Sequence, residues 1–392
     1  MLEVYHQLGF RFQWNIDSLL DDHAGDGMIL GPRYMDREIV EGLPESLRSR
    51  SVFDPQFFLP NAATGGLSTY DFFPDVLSDG FKTNHYEESA AESAQKCVDF
   101  QLSNNFRHIV IPTRYLPGMP TDFIEQQSEL FVNPFLKALA NNPGAKSSVL
   151  QLIVNPDMMK DAAYATALLN WVTGLDIING VYLIVEGTRS TKQIKDIDLL
   201  LSLLHFIRSL KENDLTVILG YLNTEAVLLA LAEPDIVTMG SYENLRVFST
   251  IAFGNEERGP MRGPNPRLYT SRLLQWIDYR YRGAILRAIP SESIFDETPY
   301  KVAMFEPTYK WHFTKPELYK HHFLVFSRQL QSLGKYAGRD RYAAFVEMAE
   351  RALVSYAELE KRITFDPDSD GTHISAWLTA AKEFASEQGW RV

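Results

Sequence analysis

The sequence predicts an α/β protein built on a TIM-like (β/α)8 barrel, with a long insertion and a helical C-terminal region. Three observations lead there. Between Met28 and Gly240, apolar runs of strand length alternate with helical stretches, the rhythm of βα units in a parallel sheet. The runs are nearly continuous rather than alternating, as strands covered on both faces require. Polar residues gather directly after each run, at the C-terminal strand ends where parallel sheets and barrels place their ligands.

The stretch from Asp214 to Arg246 shows the pattern best. Leu215–Leu222 reads as a strand, Thr224–Leu231 as a short amphipathic helix and Asp235–Gly240 as the next strand, which runs into Ser241, Tyr242 and on to Arg246. In chain order, Tyr5–Trp14 is aromatic-rich and reads as a strand or as a lid across the barrel mouth. Met28–Leu30 is the first well-defined strand, a polar helix follows at Met35–Glu41, and Ser51–Phe58 is the second strand. Residues 59–86 mix Gly, Pro, Asn and aromatics without a period and read as a capping loop over the strand ends. A helix ends near Asn105. Strands follow at Arg107–Pro112, Val149–Asn155 and Val181–Glu186, separated by helices at Asp122–Asn141 and Asp157–Thr173. A helix over Thr191–Lys211 sets Ile194, Ile197, Leu201, Leu204 and Ile207 on one face. The eighth strand is best sought at Tyr300–Phe305, beyond an arginine-rich insertion, Gly254–Ile289, that begins irregular and turns helical. The barrel thus spans 1–313, and 314–392 is helical, with helices at Pro316–Leu333, Asp340–Ile363 and Ile374–Gln388.

Composition bounds the function. A hydrophobic fraction of 45% and a charged fraction of 22% suit a soluble globular protein with a large core. Neither an apolar run of ~18 residues nor a secretory signal is found, so no membrane partner is expected. Cys97 is the single cysteine; it excludes an intrachain disulfide or a multi-cysteine zinc site and favours a cytoplasmic location. The net charge of −12 opposes indiscriminate nucleic-acid binding. Nucleotide-binding glycine motifs, serine-nucleophile elbows and histidine metal spacings do not occur, so no cofactor and no metal is expected. Asp366, Asp368, Asp370 and Gly371 imitate a calcium loop, but Trp377 stands where a bidentate glutamate belongs; they read as a turn and helix cap.

Candidate chemistry lies at the strand ends, where polar groups of a barrel share one pocket. Glu186 ends an apolar run, and low-dielectric walls around it would raise its pKa toward a useful acid–base value. An ion pair with Arg189 or Arg114 is the competing role. Asp54 and Asn155 are its expected catalytic helpers, although Asp54, followed by Pro55, equally suits an Asx turn. Arg114 and Asn223 are candidate ligand contacts. Gly240, Ser241 and Arg246 make a candidate phosphate site in which glycine admits close approach, serine donates and arginine supplies charge. Ser241 could instead simply cap the following helix. Arg258 and Arg262 begin a patch continuing through Arg267, Arg272, Arg280, Arg282 and Arg287, interleaved with Tyr269, Trp276, Tyr279 and Tyr281. That composition suits phosphate or nucleic-acid contact or a protein interface.

Gly220 to Glu225, Leu228 to Leu231, Asp235 to Val237 and Asn244 to Arg246 resemble the last barrel units of the tRNA-guanine transglycosylase superfamily. That family exchanges a base through an aspartate nucleophile on a (β/α)8 barrel. The resemblance implies barrel topology only. The family's zinc cysteines have no counterpart, and the position of its nucleophilic aspartate reads Met239-Gly240-Ser241. The sequence therefore carries two functional readings. One is a barrel enzyme, transferase or hydrolase, acting on a phosphorylated, nucleotide-like or nucleic-acid ligand by acid–base chemistry. The other is a non-catalytic barrel that serves as a binding or assembly subunit, with a protein partner or a second copy of itself.

Overall fold

The computed structural model describes residues 1–58, 65–73, 83–142, 147–187, 192–253 and 264–390. Eight parallel strands form its centre: β1 (Glu3–Gln7), β2 (Gly27–Leu30), β3 (Val52–Phe53), β4 (Ile109–Ile111), β5 (Ser148–Val154), β6 (Gly180–Val185), β7 (Thr216–Leu219) and β8 (Ile236–Gly240). Their hydrogen-bonded order is β3-β2-β1-β8-β7-β6-β5-β4. β1 pairs with both β2 and β8, with Tyr5 opposite Gly27 and Thr238, so the sheet curls into a barrel. The β3–β4 seam has no ladder, because β3 is short and Pro55 offers no N–H. It is bridged at its two ends, where Arg107 N donates to Ser51 O at 2.9 Å and Tyr115 N to Phe58 O at 2.8 Å.

Inward and outward side chains alternate along each strand. Tyr5, Ile29, Val52, Val110, Val149, Ile153, Tyr182, Ile184, Ile218 and Ile236 form one buried cluster, the lumen. Val4, Leu30, Phe53, Ile111, Leu152, Leu183, Leu219 and Val237 join a second, larger core under the helices. Both faces being covered explains the continuous apolar runs.

Three expectations need correction. The eighth strand is β1 at the N-terminus, whereas Lys301–Phe305 is one turn of helix. β1 escaped a search for apolar runs because His6 and Gln7 are polar. His6 is nevertheless buried, hydrogen-bonded to Ala24 O at 2.6 Å and Asn15 Nδ2 at 3.0 Å, and Gln7 faces a polar belt in the lumen. The helix expected from Thr191 begins at Ile197, since Asp196 caps it by accepting from Leu199 N at 3.0 Å. Within the insertion, the described residues first make an antiparallel hairpin of β9 (Arg267–Thr270) and β10 (Gln275–Asp278), with helix only at Arg282–Ala288. Leu274, at φ 51°, makes the left-handed turn that starts β10.

The C-terminal region is helical as expected, at Glu317–Leu333, Gly338–Leu359 and Thr372–Glu387. It is tied to the barrel by side-chain bonds to backbone: Arg341 Nη1 donates to Ala230 O at 2.8 Å and Trp377 Nε1 to Ile194 O at 2.9 Å. Asp366, Asp368 and Asp370 make turns and ion pairs. Asp368 meets Arg267 at 3.2 Å, Asp366 meets Arg280 at 2.7 Å and Asp370 meets Lys195 at 3.5 Å. Part of the arginine patch is thereby neutralised within the chain. No helix among the described residues is long and apolar enough to cross a membrane.

Candidate functional site

The strand ends do not share one pocket. Among the described residues they divide into a lumen capped by aromatic rings, a lateral cleft and a small pocket with a buried floor and a partly exposed rim.

Asp54, fully buried, lies in the lumen one residue beyond β3. Its Oδ1 accepts from Gln56 N at 2.9 Å, the expected Asx turn, and from Gln151 Nε2 at 2.8 Å. Tyr182 Oη lies 3.3 Å from Asp54 Oδ2 and 3.4 Å from Gln7 Oε1. Burial, only partly offset by these bonds, pushes the Asp54 carboxyl up to about 7. Above this belt the mouth is filled by aromatic rings. Phe58 packs on Phe248 with centroids 5.1 Å apart and on Phe253 at 4.8 Å, and Tyr221 packs on Phe248 at 5.4 Å. The low-dielectric enclosure expected around Glu186 therefore surrounds Asp54 instead.

Glu186 stands in a lateral cleft of about 490 Å³ with Asn155, Asp157, Lys160, Lys195 and Tyr115. It is half-buried, and its Oε2 accepts from Tyr115 Oη at 2.8 Å. That partner replaces the expected Arg114; Arg189 lies outside the described residues. Asn155 has a structural task as well. Its side-chain oxygen accepts from Met158 N at 3.0 Å, capping the helix Pro156–Lys160, while Nδ2 donates to Gly118 O at 2.6 Å. The cleft brings Glu186 and Asn155 together and leaves Asp54 out.

The third place follows β8. Ser241, Arg246, Trp276 and Trp311, with Lys192, Glu243, Arg267, Tyr319 and Asp368, line a pocket of about 110 Å³. The hairpin β9–β10 supplies Trp276. Ser241 does not cap a helix. The turn Glu243–Leu245 begins after Tyr242 with no side-chain cap, and Ser241 Oγ, fully buried, has no hydrogen-bond partner. Arg246 is 7% exposed. Its Nη1 donates to Ser241 O at 2.8 Å and Gly240 O at 3.4 Å, its Cζ lies 3.9 Å from the Trp276 ring centre, and its Nε has no partner. No carboxylate among the described residues forms an ion pair with it, and burial pushes its pKa down to about 10. Trp276 Nε1 and Trp311 Nε1 are likewise buried without acceptors. Buried donors are normally paired, and a buried cation without a counter-charge is costly. Among the described residues, the pocket thus gathers four buried donors that no acceptor satisfies.

Gly240 matters through packing rather than ligand approach. A Cβ there would lie 2.5 Å from both Leu245 Cβ and Leu245 O, in the turn that presents Arg246. Gly240→Ala is expected to cost roughly 1–3 kcal/mol, read as a lower urea midpoint. Asn223 lines neither opening. Its Nδ2 donates to Lys192 O at 3.0 Å, bracing the segment Lys192–Lys195 that borders the cleft on one side and the pocket on the other. Arg114 is buried over Phe131, 5.5 Å from the ring centre, and lines neither. Arg258 and Arg262 lie outside the described residues. Tyr115 and Trp311 were not singled out from sequence as site residues. Neither carries a local signal, since their partners are remote in the chain.

The strand order defines a (β/α)8-barrel protein. No protein-family model matches the chain, and no curated protein does. Among solved structures, the crystal structure of dihydrodipicolinate synthase from Oceanobacillus iheyensis aligns over 100% of this chain and 96% of that chain, at 10% identity and a TM-score of 0.28. A score that low carries no functional argument, and the resemblance to tRNA-guanine transglycosylases extends no further than the barrel.

Proposed function

We propose that this barrel binds a small anionic molecule at its C-terminal face, with a phosphate or carboxylate group held in the Ser241–Arg246 pocket. The observation that carries the reading is Arg246, a buried guanidinium with backbone carbonyls and an indole face around it and, among the described residues, no carboxylate paired with it. The place supports it too, because the loops after the seventh and eighth strands are where barrels commonly hold anionic groups. An oxyanion there would gain charge-assisted bonds and relieve the cost of the buried cation. The Glu186–Tyr115 pair, in the cleft that shares the Lys192–Lys195 wall, would be the acid–base group offered to the body of such a ligand.

The test is anion titration at constant ionic strength, followed by thermal unfolding and by tryptophan emission. Inorganic phosphate or acetate is expected to raise the melting temperature saturably and to perturb emission through Trp276. Ser241→Ala is expected to weaken the effect by about tenfold, the usual size for one hydrogen bond to a charged group. Equal, non-saturating responses of the native protein and the variant would remove the reading.

The non-catalytic alternative draws on one observation, the packing of Phe58, Tyr221, Phe248 and Phe253 across the barrel mouth above Asp54. Glu186→Gln discriminates between the two. An enzyme using the cleft would lose turnover of a co-purifying ligand identified by mass spectrometry while still binding the anion, whereas a binding subunit would show no turnover to lose.

A further inference from the structure

We infer that the Ser241–Arg246 pocket takes a singly charged oxyanion, the carboxylate end of a small molecule, in preference to a phosphomonoester dianion. This rests on reading the pocket as an anion site and assigns the ligand's charge class. Charge around the pocket decides it. Among the described residues, three cations line it, Lys192, Arg246 and Arg267, together with two carboxylates, Glu243 and Asp368. Arg267 Nη2 is paired with Asp368 at 3.2 Å, and Lys192 is paired with Glu243. Among the described residues that line the pocket, Arg246 alone has charge left to offer. A monoanion matches it. The second charge of a dianion would meet two carboxylates at the walls and, among the described residues, no further unpaired cation, and an unmatched charge taken out of water is strongly unfavourable.

The donors agree. Among the described residues, the fully buried side-chain donors of the pocket that lack an acceptor are Arg246 Nε, Ser241 Oγ, Trp276 Nε1 and Trp311 Nε1. An ionised carboxylate offers about four lone-pair sites on two oxygens, one for each of these donors. Counted the same way, the three acceptor oxygens of a phosphomonoester offer about six lone-pair sites, more than those four donors fill. The guanidinium is also suited to a planar partner. Nη1 makes both backbone bonds, so the edge that carries Nε is the one left for a carboxylate, and arginine favours flat recognition along such an edge.

The experiment compares acetate with methyl phosphate, each titrated at constant ionic strength against the native protein, Arg246→Met and Ser241→Ala. Thermal unfolding and tryptophan emission are recorded on both sides of the second phosphate ionisation, near pH 6. The expected result is saturable acetate binding that varies little with pH above the acetate range, and methyl phosphate binding that weakens by about tenfold or more as its second proton leaves. Both responses should be lost in Arg246→Met. Methyl phosphate binding that strengthens with pH and depends on Arg246 would overturn the charge class while leaving the anion site standing. Responses to both anions that are unchanged in Arg246→Met and Ser241→Ala would overturn the site itself. Ser241→Ala keeps the comparison decisive should the arginine variant fail to fold.

Discussion

Asp54→Asn is expected to make the protein more stable above neutral pH, by roughly 4 kcal/mol at full effect. The carboxyl is fully buried, and among the described residues it has no cationic partner. Its pKa is raised from 3.8 to about 7. The sign follows from which state holds the proton. Below the unfolded value both states are protonated, and Asp54 costs nothing by ionising. Between the two values the unfolded chain has released the proton while the folded one keeps it, so stability falls as pH rises. Above the folded value the penalty is complete, about three units at ~1.36 kcal/mol each. Asparagine has no charge to desolvate and suits the belt. Its oxygen can accept from Gln56 N and Gln151 Nε2, while its amide donates to Tyr182 Oη, which then donates to Gln7 Oε1. Urea unfolding of both proteins across the acid-to-neutral range checks this. The gap should open with rising pH, and parallel curves would mean that Asp54 is not carrying a desolvated charge.

How much of this was legible in the sequence depends on where each signal resides. Apolar runs located β2 and β4 to β8, because a strand buried on both faces writes its environment into consecutive residues. They missed β1, whose His6 and Gln7 are satisfied by Asn15, Ala24 and Tyr182, partners that no local pattern announces. Lys301–Phe305 misled because five residues do not separate a period of two from one helical turn. The site divides in the same way. Ser241 and Arg246 were readable because one loop holds both of them after a strand. Trp276 and Trp311 complete the pocket from the hairpin and from the stretch before the C-terminal helices, and only tertiary folding brings them there. The expectation of one shared pocket failed on side-chain volume. Phe58, Tyr221, Phe248 and Phe253 fill the mouth, which moves the open space outward to Glu186 and Arg246.

Arg246→Met is expected to abolish anion-dependent stabilisation while changing the ligand-free protein by less than about 2 kcal/mol in either direction. Opposing terms set the second figure. Removing a buried, unpaired cation relieves a desolvation penalty of several kcal/mol. The variant also loses two bonds to Gly240 O and Ser241 O, worth about 0.5–1.5 kcal/mol each, and the contact with Trp276, worth up to ~2 kcal/mol when desolvated. Methionine refills much of the volume without charge. A structural ion-pair arginine behaves otherwise, since breaking a buried pair costs about 3–5 kcal/mol by stranding its partner. The ligand-linked figure is separate. At an anion concentration about a hundredfold above the dissociation constant, the native protein should gain ~2.7 kcal/mol and the variant nothing. Urea unfolding with and without the anion measures both quantities on the same samples. A loss near the ion-pair value, with anion response intact, would make Arg246 a structural residue and leave the pocket without a ligand.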